Sequence, residues 1–309
     1  MNALPLDGKR VAAEMRAETA AAVRELAKAG IVPGLAVVLV GDDPASRVYV
    51  QSKGAAAREA GILERTLRFP ADLEESALLA TIADLDADES IDAILVQLPL
   101  PSHMKTARIL EAVDPAKDVD GFHPLNAGRL MQGKPGPVPC TPAGILEMLR
   151  RENVEIAGKH AVVVGRSDIV GKPMALLLLH ANATVTIAHS KTHDLPRVCR
   201  EADILVTALG RPGFVTGDFV KPGAVVVDVG INRIERRDEL ERFFPGDAAR
   251  RESFDKRGYT LMGDCDPVTV GALASRLTPV PGGVGPLTIA RLLANTVALA
   301  RARRALPLS

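Results

Sequence analysis

VVVGRSDIVGKP, residues 162–173, is the stretch on which the fold turns. Three consecutive valines are β-branched and wholly apolar, which suits a strand buried on both faces. Gly165 ends that run, and Gly171 stands where a following helix would pass close to the sheet. Strand, glycine turn and helix start, in that order, make a site where backbone N–H groups and the positive end of a helix can face a phosphate. Ser167 adds a hydroxyl to the same turn. The complete GxGxxG fingerprint is absent, so a tight turn without a ligand is the alternative at this point.

Similar apolar runs lie on both sides of it. LAVVLVG (35–41), DAILVQLPLP (92–101), KHAVVVGRS (159–167), TVTIAHS (184–190), DILVTALG (203–210) and AVVVDVG (224–230) read as buried strands. They are continuous rather than alternating, as parallel strands covered on both faces are. Helices fall between them. Asp43-Pro44 offers an N-cap followed by proline at the first helical position, and Thr141-Pro142 repeats the arrangement. Strands alternating with helices predict an α/β fold with parallel sheets.

The 309 residues exceed one typical domain. A stretch rich in glycine and proline from Val113 to Cys140 separates two α/β units. The expected domains are 1–140 plus 278–309, and 141–277. A helix from Pro286 to about Arg303 would pack back on the first of them.

Lysine plus arginine equal aspartate plus glutamate at 38 each, so no whole-protein field draws nucleic acid or an anionic membrane. No apolar run reaches about 18 residues, and MNALPLDGKR lacks a signal segment, so a cytoplasmic protein is expected. Cys140, Cys199 and Cys265 are scattered, with no CxxC or Cys/His spacing, which predicts free thiols and no metal. Arg301, Arg303 and Arg304 read as a solvated helix end.

In a dinucleotide-binding unit the second strand ends about 20 residues past the glycine turn, with an acid there when the ligand is NAD. Ala188-His189-Ser190-Lys191 has no carboxylate. Ser190 and Lys191, with Arg166 beside the turn, suit the extra phosphate of NADP. A solvated Lys191 is the competing reading. Thr207, Gly210, Gly230 and Ile231 also sit at strand ends, where ligands dock on such sheets.

YVQSK places Tyr49 and Lys53 one helical turn apart on one face. Gln97 interrupts an apolar strand and needs partners if buried. Asp120 lies in KDVDGFHP.

These segments together resemble the bifunctional methylenetetrahydrofolate dehydrogenase/cyclohydrolase family. The matching stretches are YVQSKGAAAREAGI (49–62), VQLPLP (96–101), KDVDGFHPLNAGRL (117–130), PCTPAGI (139–145), GRSDIVGKP (165–173), HSKT (189–192), DVGIN (228–232) and TPVPGGVGPLT (278–288). The resemblance implies two α/β domains with a cleft between them, the second Rossmann-like, paired as a homodimer in one-carbon metabolism that feeds purine biosynthesis. It implies that Lys53 is catalytic, that Gln97 bonds to it, that Asp120 grips the pterin ring and that Tyr49 stacks on the folate. Pro279, Gly282 and Gly283 would line the folate site. Gly165, Arg166, Ser167, Ser190, Thr207, Gly230 and Ile231 would contact NADP.

The residue types suit that chemistry. Oxidation of a methylene bridge is pushed by the substrate's own nitrogen, so positioning is the main requirement. Hydrolysis of the methenyl cation needs a base, and burial beside a cation is what makes a lysine amine serve as one. His103, His123, His180 and His193 are dispersed and read as structural or surface residues. One departure stands out. A charged stretch from Arg233 to Gly258 follows DVGIN where the family has a brief turn, and it reads as a surface insertion. Leucine also follows Pro286 where methionine is frequent. The rivals are an enzyme with one of the two activities, or a nucleotide-binding protein without turnover.

Overall fold

Val162, Val163 and Val164 are completely buried, and the strand they form is the hub of a parallel sheet. The computed structural model describes residues 3–304, apart from the side chain of Ala45. Its strands in chain order begin with β1 (Leu4–Pro5), β2 (Gly34–Val40), β3 (Leu63–Phe69), β4 (Ala93–Val96) and β5 (His160–Val164). They continue with β6 (Thr184–Ala188), β7 (Ile204–Thr207), β8 (Val225–Asp228), β9 (Asn232–Ile234), β10 (Thr260–Met262) and β11 (Arg276–Leu277).

The chain divides into two compact units. One combines the segment up to Val11 with Thr141–Leu287; the other combines Ala12–Cys140 with the chain from Thr288 onward. These limits differ from the expected ones, because the segment before Ala12 and residues 278–287 group with 141–277. Strand pairing is the reason. Leu4 lies opposite Arg276 in a parallel β1–β11 pair, and β11 in turn pairs with β8. Two-residue strands carry no periodic signal in the sequence. Two boundaries fall inside the helices Gly8–Lys28 and Val284–Arg303, and the third falls after the first residue of Cys140–Arg151. The helix Cys140–Arg151 itself begins one residue before the expected Thr141 cap.

The unit built on Thr141–Leu287 has a six-stranded sheet in the order β1-β11-β8-β7-β5-β6, every pair parallel. The order reverses at β5, which has β6 on one side and β7 on the other. Such a reversal leaves a crevice outside the carboxyl ends of the strands. β6 is the edge, and it is not the fully buried strand its composition suggested, since Ile187 is 44% exposed.

The second unit has the parallel sheet β3-β2-β4. All of β2 is buried, and Leu35, Val37 and Leu39 share a core with Leu292, Leu293 and Val297 of the C-terminal helix. β3 was hidden in the sequence, because Glu64, Arg65 and Arg68 break the apolar run of an edge strand. Arg303 departs from the expected solvated helix end. Its Nη1 lies 2.7 Å from Oδ1 of Asp92, which is fully buried and accepts the Gly34 N–H at 3.0 Å through its other oxygen.

Candidate active site

The helix Pro44–Glu59 starts as its sequence dictates. The Asp43 carboxylate accepts the Ser46 N–H at 2.7 Å, and proline occupies the first turn. Further along, Lys53 is only 8% exposed, and its Nζ donates to Oε1 of Gln97 at 2.9 Å. Gln97 follows β4 directly, and its backbone N–H still bonds to Val38 of β2. Its Nε2 donates to the Leu98 carbonyl at 2.7 Å, which fixes the amide with its oxygen toward the lysine. Tyr49 lies one turn before Lys53 and is half-buried, and burial raises the pKa of its hydroxyl.

Asp120 reaches the same neighbourhood through backbone pairing. The Ile94 N–H donates to Lys117 O at 2.7 Å, and Asp118 forms a parallel bridge with Ile94. The chain turns directly after that bridge, and Asp120 lies within reach of the Lys53 charge. Burial pushes its carboxyl pKa up; the Lys53 charge pulls it down, the Asp118 charge adds to the rise, and the Cys140 thiol opposes it. Three residues that the sequence did not single out, Lys117, Asp118 and Asn295, hold this segment together with Cys140. The buried Lys117 amine donates to the carbonyls of Leu85, Asp86 and Asp88, closing the end of the helix Glu75–Ala87. Asp118 accepts the N–H groups of Phe122 and His123, at 3.2 and 2.9 Å. Asn295 donates to Val119 O and Val138 O at 2.9 and 3.0 Å, and the Cys140 thiol lies 3.7 Å from Val119 O. An asparagine inside the apolar run LLANTVALA was the available signal, because a buried amide must find partners.

The dinucleotide residues gather at the carboxyl edge of the six-stranded sheet. Gly165 follows β5 with φ +141°, and a side chain there would meet Ala208 O at 2.5 Å, so only glycine allows the turns after β5 and β7 to approach. The exposed Ser167 hydroxyl accepts the N–H groups of Val170 and Gly171 at 3.2 and 3.3 Å. Those amides are therefore engaged by Ser167, a difference from the expected phosphate cradle, and the hydroxyl proton is what this turn offers a ligand. Arg166, Ser190 and Lys191 are exposed, and among the described residues no ion pair engages Arg166 or Lys191. The donor set fits a phosphorylated dinucleotide: two cations and two hydroxyls with no carboxylate among them.

Thr207 does not present its side chain. It is fully buried, with its hydroxyl 3.4 Å from Asp228 Oδ1 and 3.5 Å from the Cys265 sulfur. Ile231 is 44% exposed, whereas Gly230 is buried and donates its N–H to Asp228 at 3.0 Å. Asp228 also accepts the N–H groups of Asp264 and Cys265, both at 2.8 Å. Burial raises its pKa to about 6 against those hydrogen bonds. Asp264, fully buried, accepts the N–H groups of Leu209, Gly210 and Arg211 at 2.6, 3.2 and 2.8 Å, and the Asn232 amide at 3.1 Å. The insertion before Asp264 thus leaves this carboxylate tying the turns after β7 and β8 together. In the same unit Pro279 is exposed, Gly282 half-buried and Gly283 buried. No group of histidine, cysteine or acidic residues among the described residues is arranged to hold a metal ion.

Residues 6–120 match the family model for the tetrahydrofolate dehydrogenase/cyclohydrolase catalytic domain, and residues 139–304 match that for its NAD(P)-binding domain. The chain belongs to the tetrahydrofolate dehydrogenase/cyclohydrolase family. The catalytic-domain match contains Tyr49, Lys53, Gln97 and Asp120, and the NAD(P)-binding match contains the edge from Gly165 to Ile231. Among relatives, the bifunctional protein FolD of Koribacter versatilis strain Ellin345 is 59% identical over 304 residues, covering 98% of this chain and 99% of that protein. The crystal structure of the bifunctional FolD methylenetetrahydrofolate dehydrogenase/cyclohydrolase of Campylobacter jejuni superposes with a TM-score of 0.86 at 43% identity, covering 96% of this chain and 98% of that one. A Trypanosoma brucei family member, solved with NADP and an inhibitor, gives a TM-score of 0.88 at 36% identity, with coverages of 98% and 99%.

Proposed function

We propose that this protein oxidises 5,10-methylenetetrahydrofolate to 5,10-methenyltetrahydrofolate with NADP and hydrolyses the product to 10-formyltetrahydrofolate. The observation that carries the reading is the buried Lys53 amine bonded to Gln97, in a chain that also has a phosphate-suited dinucleotide edge. Bound NADP supplies the hydride acceptor for the first reaction. Arg166, Lys191, Ser167 and Ser190 hold its phosphates, by charge and by hydroxyl donation. Gly230 and Ile231 lie against it through backbone and apolar surface. Thr207 serves by placing Asp228.

Oxidation asks little acid–base work of the chain. Tyr49 and Asp120 orient the folate, Tyr49 by ring stacking and Asp120 through the donor edge of the pterin, while Pro279, Gly282 and Gly283 line its site. Hydrolysis asks more. Water attacks the methenyl carbon and gives up a proton to the Lys53 amine. The lysine returns that proton to the ring nitrogen as the C–N bond breaks, while the hydroxyl of the intermediate releases its proton to solvent and becomes the formyl carbonyl. Gln97 holds the amine in place with its oxygen. From the family resemblance we also place the protein in the cytoplasm as a homodimer, in the one-carbon metabolism that supports purine biosynthesis. No described helix is long and apolar enough to cross a membrane.

Lys53→Met tests the assignment. Hydrolysis should fall by about 10²-fold or more, the scale of a lost general base, and hydride transfer by much less. Equal losses in the two rates would refute the role of the amine. A wild-type protein that oxidises but never hydrolyses would reduce the function to a dehydrogenase.

A further inference from the structure

The charged insertion is not an appendage. Between β9 and β10 it forms the helices Arg237–Phe243 and Ala248–Arg257, and it buries Ile234, Leu240, Phe243 and Phe254. Phe243 packs with Ile234 and Met262 and lies against Gly213 in the turn after β7. Many of its charges pair with one another on the surface, such as Arg237 with Asp255 at 2.9 Å and Lys256 with Glu252 at 2.6 Å. Exposed pairs of that kind contribute little.

Arg250 is placed differently. Its guanidinium is half-buried, 3.8 Å over the Phe244 ring, with Nε 3.3 Å from Asp247 Oδ2. Nη1 donates to Leu261 O at 2.7 Å, and Nη2 donates to the carbonyl of Val280. Asp247 also accepts the Arg250 N–H at 3.0 Å as the cap of that helix, so the arginine is fixed from several directions. Val280 stands in TPVPGG, between Pro279 and Gly282. The ground on both sides of this contact is hollow. A cavity of about 490 Å³ is lined by Phe244, Arg250, Met262, Pro279 and Val280, and another of about 260 Å³ by Asp247, Arg250, Leu261 and Pro281. Gly282 and Gly283 lie against Lys9 and Gly8. On the side of Val280 that faces these hollows, however, dispersion contacts are few, and a charge-assisted hydrogen bond to its carbonyl restrains the loop there.

We infer that Arg250 is a positioning residue that sets the loop Pro279–Gly283 for folate binding, and that the inserted helices exist to carry it. The inference rests on the assignment of that loop to the folate site. Arg250 touches neither substrate nor dinucleotide in this role; it acts through the Val280 carbonyl.

The experiment compares full-length wild type, Arg250→Ala, Arg250→Lys and Gly283→Ala in both activity assays. Loss of one charge-assisted bond corresponds to roughly a tenfold effect. Arg250→Ala should raise KM for both folate substrates about tenfold, with kcat changed by less than about threefold and KM for NADP unchanged. Arg250→Lys should recover part of the loss, since an ammonium can still reach one carbonyl, and it replaces the alanine variant if that one does not fold. A folate KM unchanged in the Arg250 variants, or a parallel rise in KM for NADP, overturns the inference. A Cβ on Gly283 would meet Pro279 O at 2.7 Å, so Gly283→Ala displaces the loop directly. If it leaves folate KM unchanged, the loop's assignment fails. If it raises folate KM while the Arg250 variants do not, only the role of Arg250 fails.

Discussion

Lys53 and Gln97 stand 44 residues apart in the chain and share one hydrogen bond of 2.9 Å, with the other half of the glutamine amide committed to Leu98. The donor–acceptor sense of the contact is therefore set by the backbone after β4. An oxygen is always turned to the amine, and the glutamine cannot swap ends without losing its second bond.

Gln97→Glu puts a full negative charge where that oxygen lies. The carboxylate holds the amine as an ion pair and draws it from the attacking water, so hydrolysis at neutral pH should drop by about tenfold or more. Oxidation should change less. Steady-state rates of both activities would check this; hydrolysis equal to that of the wild type would contradict it.

Arg166→Ala with Lys191→Ala removes two cations from the dinucleotide edge. KM for NADP should increase by at least about tenfold, the loss of one or two charge-assisted contacts, with KM for NAD little affected. Hydrolysis of methenyltetrahydrofolate without cofactor should proceed as before. Comparable kcat/KM for NADP and NAD in the wild type would remove the basis for this expectation.

Asp228 makes stability depend on pH. Its folded pKa is about 6, above the ordinary aspartate value of about 3.9, so the fold favours the protonated acid and ionisation costs stability. The cost is complete above about pH 6 and vanishes below about pH 4, with a size of about 3 kcal/mol for a shift of roughly two units. Urea denaturation of wild type and Asp228→Asn between pH 4 and 7 isolates it. Wild type minus variant should become more favourable as pH falls; a flat difference would show that Asp228 does not titrate in this window.

Arg303→Ala leaves Asp92 buried with its charge partner gone. Breaking a buried pair costs about 3–5 kcal/mol, and Arg304, whose Nη2 is 3.5 Å from the same oxygen, should recover a part. A fall of about 3 kcal/mol in the urea-derived stability is expected. A change below about 0.5 kcal/mol would class the contact with exposed pairs.

What the sequence displayed was local chemistry. VVVGRS showed β5 and its turn because valines and a glycine lie next to each other, and Asp43-Pro44 showed a helix start for the same reason. Lys53, Gln97 and Asp120 could be named, but what brings the segment of Asp120 to β4 is the bridge of Asp118 to Ile94, a pairing across 24 residues. Long-range partners account for the rest. Arg303 finds Asp92, Asp264 gathers three amides from the turn after β7, and Arg250 finds Val280. Each looks like a solvated charge until its partner is known. β3 was missed because an edge strand tolerates charge.

The chain leaves one unit and enters the other after the first turn of Gly8–Lys28, and does so again after the first turn of Val284–Arg303. Anyone wishing to produce one half by itself must therefore saw through helices, exposing raw ends whose amides and carbonyls have lost their partners. Splitting the gene at its glycines and prolines would not follow the joints of the molecule, and a workable half would need new caps at every cut.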